Sequence, residues 1–299
     1  MLKAIRKTVR KKMQALVSTF GRGDGPESEF CRRIKYRHHT FWRAPNAERI
    51  RNTRMEAAYS LDEWKDVENW QRKLSNKYNA REFAKMHTCP VPALYWKGRD
   101  CQQIDFGSLP AQYVIRPTIG HSCQLVFLMN NALNLMDRQT YTPAAIVKVL
   151  SKAVQANPHL EFLIEEFVRT EQGSYRIPDD YKFYMFNGQL AFIQVINRFS
   201  NKEGQTSFYD SDWQQLENIN TIYKQADFQE KPRCFDQMRA CAITLSRTYE
   251  IFVRVDFYAT DKGAVFGEFT PTPGLGNAFT PFGDQLLIDY WDTYCKEMI

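Results

Sequence analysis

The chain has 299 residues, 43% hydrophobic and 25% charged, with a formal net charge of +6, so it can bury a sizeable core without staples and is not a disordered chain. Its seven cysteines (Cys31, Cys89, Cys101, Cys123, Cys234, Cys241 and Cys295) form no CxxC pair and no Cys/His ligand spacing, which argues against a zinc site or a disulfide framework and fits thiols in a reducing compartment. No apolar run reaches the length of a membrane span, and the modest basic excess suits nucleotide phosphates, acidic sugars or a membrane surface without choosing among them.

Residues 1–20, MLKAIRKTVRKKMQALVSTF, put Leu2, Ile5, Val9, Met13, Leu16, Val17 and Phe20 at helical spacing, with Lys3, Arg6, Lys7, Arg10, Lys11 and Lys12 on the other face. A basic amphipathic helix of this kind suits an anionic membrane, resembles a targeting peptide, or docks on its own domain; the absence of a small-residue cleavage site argues against a secretory signal. GRGDGPES, 21–28, reads as a linker. Residues 29–75 are basic, Trp-containing and read as mainly helical. Within them SLDEWKDVENWQRKL predicts one helix, with Ser60 and Glu63 as a capping pair and Trp64, Val67, Trp70 and Leu74 on one buried face. NAREFAKMH predicts another, ended before the two prolines of CPVPALYW, which lead into a short strand.

From Tyr113 the rhythm becomes that of strands. YVIRPT and QLVFLMN predict a hairpin around GHSC, and TPAAIVKVLSKAVQ a helix with Thr142 as cap and Pro143 in its first turn. EFLIEEFV predicts a strand ending in acids, and YKFYMFNGQLAFIQVIN two strands joined at Asn187-Gly188. FDQMRACAITLSRTY predicts a helix, and VRVDFYATDKGAVFGEFTPTPG a closing hairpin.

That last hairpin carries the chemistry. Alternation puts Val253, Val255 and Phe257 on one face and Arg254, Asp256 and Tyr258 on the other. Pairing around Lys262 sets Asp256 opposite Glu268, with Val265 and Phe269 on the apolar face and Phe266, Glu268 and Thr270 beside Arg254 and Asp256. Opposed carboxylates lie about 5 Å apart at Cβ and repel. A divalent cation would turn that repulsion into a ligand set, and Mg²⁺ commonly takes one or two carboxylates plus phosphates. A solvated pair relieved by Arg254, or a slipped register, is the other reading of these residues.

Taken together, LSNKYNAREF, IDFGSLPAQYVIRP, EEFV, PDDYKFYMFNGQLAFIQV, SFYDSDW, VRVDFY and FGEFTPTPGLGNAFTP, in this order between Lys73 and Trp291, resemble the ATP-grasp superfamily and closely its TupA-like branch, associated with cell-surface polysaccharide synthesis. The resemblance implies an α+β ATP-grasp fold in which two α+β subdomains sandwich the nucleotide, after a mainly helical N-terminal segment. The expected division is 1–28 as a basic segment and linker, 29–112 as a mixed helical region, 113–168 as the small subdomain and 169–299 as the large one with the metal site.

It also implies residue roles. Asp256 and Glu268 match the acidic metal ligands, and Thr270 stands where many members carry a metal-binding Asn. Lys77 matches a lysine at the start of the nucleotide fold, and Arg116 replaces the usual phosphate-reaching lysine. IGHSC replaces a glycine-rich phosphate loop, leaving Gly120, His121 and Ser122 to close over phosphates. EEFV corresponds to the hinge that binds adenine and ribose, through Glu165 or Glu166 and the backbone of Phe167 and Val168. Lys182 faces the phosphates or acyl phosphate with Asp180 beside it, and Arg254 and Arg198 are expected to stabilise the acyl phosphate or clamp a carboxylate. The implied activity is an ATP- and Mg²⁺-dependent carboxylate–amine ligase joining an amino acid to an acidic glycan or peptide-like acceptor. A sugar kinase and a non-catalytic nucleotide-binding module are the alternatives. No nucleic-acid motif is present, and the expected place is the cytoplasm, peripheral at the inner face of the membrane if residues 1–20 touch lipid.

Overall fold

The computed structural model describes residues 27–120, 123–200 and 203–296, so the basic helix expected over 1–20, most of the linker, and His121 and Ser122 lie outside the described residues. The N-terminal part is helical: α1 (Glu29–Arg43), α2 (Ala47–Asn52), α3 (Leu61–Trp64) and α4 (Lys77–Met86). The single helix expected from Ser60 is a correction. The Ser60–Glu63 capping box forms, but α3 stops at Trp64, and Trp70–Ser75 is a separate 3₁₀ turn entered through Asn69 in the left-handed region at φ 57°. Trp64, Trp70 and Leu74 are nonetheless buried together, because the break redirects the chain without exposing its apolar side.

Six strands form the first sheet: β1 (Leu94–Gly98), β2 (Gln112–Pro117), β3 (Phe127–Asn130), β4 (Leu133–Asn134), β5 (Gln139–Thr140) and β6 (Phe162–Glu166), in the order β1-β6-β2-β3-β4-β5 and antiparallel throughout. It therefore draws in β1, upstream of residue 113. Helix α5 (Pro143–Ala156), capped by Thr142, buries Ile146 and Leu150 against Ile115, Phe127, Phe162 and Ile164.

The second sheet contains β7 (Asp180–Phe186), β8 (Gln189–Arg198), β9 (Gly204–Tyr209), β10 (Gln215–Leu216) and β11 (Lys224–Gln225). Helix α6 (Phe235–Tyr249) intervenes before β12 (Phe252–Thr260) and β13 (Gly263–Thr270) complete it, and α7 (Pro281–Tyr294) follows. The order is β10-β9-β8-β7-β12-β13, with β11 alongside β9. Asn187 and Gly188, at φ 47° and 84°, make the two-residue turn between β7 and β8 that their residue types favour. On one face, Phe183, Val195, Val253, Val255 and Phe257 pack under α6, α4 and the tryptophans of the N-terminal part. On the other, Tyr184, Phe186, Phe192, Phe208 and Phe252 are covered by α1 and α7. Those helices cover one end of that face. The other end carries charge.

Candidate functional site

The charged end is built by strand alternation. Asp256 on β12 is the register partner of Glu268 on β13 and of Lys182 on β7. Beyond that pair the even alternation fails. Phe257 pairs with Phe266, which leaves Gly267 as an unpaired bulge. This corrects the expected placement of Phe266: it lies in the core with Phe257, at 6.0 Å between rings, and not beside Asp256. A side chain at 267 would meet the Asp256 carbonyl oxygen at 3.1 Å and the Tyr258 ring at 3.3 Å, so glycine admits the bulge.

Asp256 is the centre of the cluster. Arg254 grips it two-handed, Nε to Oδ1 and Nη2 to Oδ2, each at 2.7 Å, and Lys182 Nζ donates to Oδ2 at 2.7 Å. Arg254 also donates to Thr270 Oγ1 at 3.0 Å and lies 3.9 Å from Glu268. Asp180 continues the chain, 3.5 Å from Lys182 and 3.1 Å from Arg198 Nη2. Burial alone would raise the Asp256 pKa, but Arg254 and Lys182 outweigh it and hold the carboxyl below its ordinary value. Burial and Arg254 both oppose a charged Lys182, yet Asp180 and Asp256 keep its ammonium above the usual lysine value.

A second buried cluster faces this one from the first sheet. Glu165, on β6, accepts from Arg116 Nε through one oxygen and from Arg81 Nη1 of α4 through the other. Arg116 Nη1 reaches across to the carbonyl of Gly267 at 3.2 Å. The guanidinium expected to meet phosphates is thus held by Glu165 and the bulge. Lys77 begins α4, donating to the Gly120 carbonyl at 3.3 Å and lying 3.4 Å from Glu268. Glu166 points the other way, ion-paired to Lys262 at the hairpin turn, while Phe167 and Val168 bury their side chains.

Two features were missed by reading the sequence. Arg81 lies one helical turn after Lys77 on α4, a spacing that puts both on one side of the helix. Beside Arg254 and Lys182 there is also a cavity of about 70 Å³, walled by Tyr184, Gln194, Ile222, Tyr223, Asn277 and Phe279. Gln194 is oriented there, bonded to the Tyr184 hydroxyl and to Thr206 Oγ1, each at 3.2 Å.

The donors fit a hard cation in kind: two carboxylates and a hydroxyl on adjacent strands. Glu268 is open, with 35% of its side chain exposed, whereas both oxygens of the 4%-exposed Asp256 are occupied by Arg254 and Lys182. Among the described residues no three His, Cys, Asp or Glu side chains gather as a ready-made metal cage.

The family described as TupA-like ATPgrasp matches residues 58–291. The chain belongs to the TupA-like ATP-grasp family. Its two sheets, with helices packed on them, are the α+β ATP-grasp fold, and the charged cluster lies within the matched region. No curated protein matches the chain by sequence. Among solved structures, D-alanine–D-alanine ligase of Bacillus anthracis is similar at 13% identity and a TM-score of 0.48, covering 74% of this chain and 66% of that one. The ATP-grasp ligase PsnB with a phosphomimetic variant of its minimal precursor, Mg and ADP is similar at 15% identity and a TM-score of 0.43, covering 77% and 65%. D-cycloserine synthetase DcsG is similar at 14% identity and a TM-score of 0.44, covering 74% and 69%. The chain therefore spans about two thirds of the length of these proteins, and likeness at this level says nothing of what it acts on.

Proposed function

We propose that this TupA-like ATP-grasp protein is an ADP-forming carboxylate–amine ligase that joins an amino acid to an acidic saccharide or a peptide-like acid. The observation that carries the reading is the cluster itself: Arg254 and Lys182, clamped on Asp256 beside the open Glu268, also line the cavity. In this reading the cations at that border meet an acid on one side and nucleotide phosphates on the other.

In this reading the substrate carboxylate attacks the γ-phosphorus of ATP, giving an acyl phosphate and ADP. The amine then attacks the acyl carbon, forms the amide and releases phosphate. Arg254, with the two-pronged geometry that suits carboxylate and phosphate oxygens, holds the reacting acid, and Lys182 neutralises charge on the transferring group. Arg198, oriented by Asp180, borders the same cluster, and Lys77 stands beside the backbone of Gly120 on the nucleotide side. Glu268, Asp256 and Thr270 are the residues that would hold Mg²⁺, which when bound supplies charge neutralisation at the nucleotide phosphates. Asp256 can join that set only by yielding part of its hold on Arg254. Among the described residues no helix is long and apolar enough to cross a membrane.

The test is release of ADP and phosphate from Mg²⁺-ATP with amino acids paired against uronic acids and other carboxylates, using Asp256→Asn as the blank. Release that needs both an acid and an amine supports the ligase. ADP without free phosphate, appearing with a hydroxyl compound, replaces it with a kinase, and nucleotide binding without turnover replaces it with a binding module.

A further inference from the structure

Helix α1 lies outside the family-matched residues 58–291, yet its Phe30 and Cys31 touch the wall of the cavity. Pro273, Gly274, Asn277 and Phe279 form that wall. The chain through it is unusual: Gly274, Leu275 and Gly276 stand at φ 54°, 53° and 73°, three successive left-handed residues of which the middle one carries a side chain. The glycines take that conformation freely, but a leucine keeps it only where its surroundings hold it.

The surroundings are α1. A Cβ on Gly276 would come within 2.6 Å of the Cys31 Cα, so loop and helix meet backbone to backbone. The Cys31 thiol, 4% exposed, has the Leu275 carbonyl at 3.3 Å, Asn277 Oδ1 at 3.4 Å and Glu27 Oε1 at 3.1 Å. One S–H proton serves one of these acceptors at a time. Burial, and then Glu27, push the thiol up to about 11, so at neutral pH it keeps the proton it donates. One residue earlier, Phe30 meets Phe279 edge-on at 5.3 Å, and Phe279 meets Tyr184 of the cavity at 6.0 Å. Helix, loop and cavity lining form one connected stack.

We infer that Cys31 and Phe30 of α1 are positioning residues for the 273–279 wall, so that a helix outside the family-matched segment sets how the acid substrate is held. Neither side chain touches the reacting groups; both act through Leu275, Asn277 and Phe279. The inference rests on the ligase reading only for what the cavity holds.

Amide hydrogen exchange on the full chain without ligand tests the placement itself. In Cys31→Ala, amides of 274–280 should exchange about tenfold faster, while those of β7 and β12 keep their wild-type rates. Cys31→Ser, which restores a donor of similar size, should return the segment close to wild type. Unchanged exchange at 274–280 overturns the inference, and so does equal loosening of β12, which marks a general loss of stability. The kinetic arm uses D-glucuronate as the acid and glycine as the amine. Phe30→Leu and Cys31→Ala should raise the KM for glucuronate about fivefold and leave that for ATP unchanged, whereas parallel rises in both overturn the inference. A wild-type chain that binds an unhydrolysable ATP analogue with Mg²⁺ and releases no ADP with any acid removes the ligase reading. The exchange result then decides the inference alone.

Discussion

Two buried carboxylates, one on each sheet and each held by two cations, differ in what surrounds them. Glu165 sits between Arg81 and Arg116; Arg81 has a second buried acid, Glu82, at 3.5 Å, and the reach of Arg116 ends on the Gly267 carbonyl, so that cluster closes on protein. Asp256 sits between Arg254 and Lys182, which border a cavity and have further acids within reach: Glu268 at 3.9 Å from Arg254 and Asp180 at 3.5 Å from Lys182. The first arrangement is a strut. The second opens on a cavity, with further acids at hand for its cations. The same residue types thus build a closed cluster in one sheet and one that borders open space in the other.

Glu165→Gln is the sharpest way to break this comparison. It removes the carboxylate that two buried arginines share, leaving Arg116 with the Gly267 carbonyl and Arg81 with Glu82, and should cost about 3–5 kcal/mol in chemical unfolding, more than Asp256→Asn. Equal losses from the two variants would erase the distinction. Asp256→Asn should instead lower the rate of ADP release about 10²–10³-fold, the scale of losing a preorganised electrostatic group, with its unfolding midpoint changed less than that of Glu165→Gln. Thr270→Val removes the hydroxyl that steadies Arg254 and should lower the same rate about tenfold, the scale of one hydrogen bond to a charged group. The smallest effect is on stability in acid. The Asp256 pKa is depressed in the fold, so its contribution is complete above the unfolded value of 3.8 and fades as pH falls through the lower folded value. Thermal unfolding of wild type and Asp256→Asn across that range should converge as the pH drops, and a constant gap would contradict the assignment.

Much of the fold was legible because its signals are local. Asn187-Gly188 turns β7 into β8, Thr142 and Pro143 open α5, and the helix read as FDQMRACAITLSRTY is α6 from end to end. What failed was also physical. Periodicity from Trp64 to Leu74 reports a buried side, and a kinked path through Asn69 satisfies it as well as a straight helix does. Strict alternation sets Phe266 on the wrong face because it runs through a bulge, although a glycine inside a strand is the usual mark of one. In the site, Asp256 and Glu268 were readable as opposed partners within one hairpin. The claim of Glu165 on Arg116 was not, since the two are brought together by strand pairing across 49 residues of chain, and Arg81 is a further step away on α4.

The extra residue in β13 has a mechanical consequence. Gly267 pairs with nothing on β12, so its deletion would shorten the strand yet preserve every partner from Thr260–Gly263 to Arg254–Thr270. What deletion would remove is the carbonyl that Arg116 grips, one position before Glu268. The hairpin therefore works as a ruler with a tether tied at one mark: its spacing is set within its own sheet, while any rocking of the other sheet is transmitted as tension on the backbone next to Glu268.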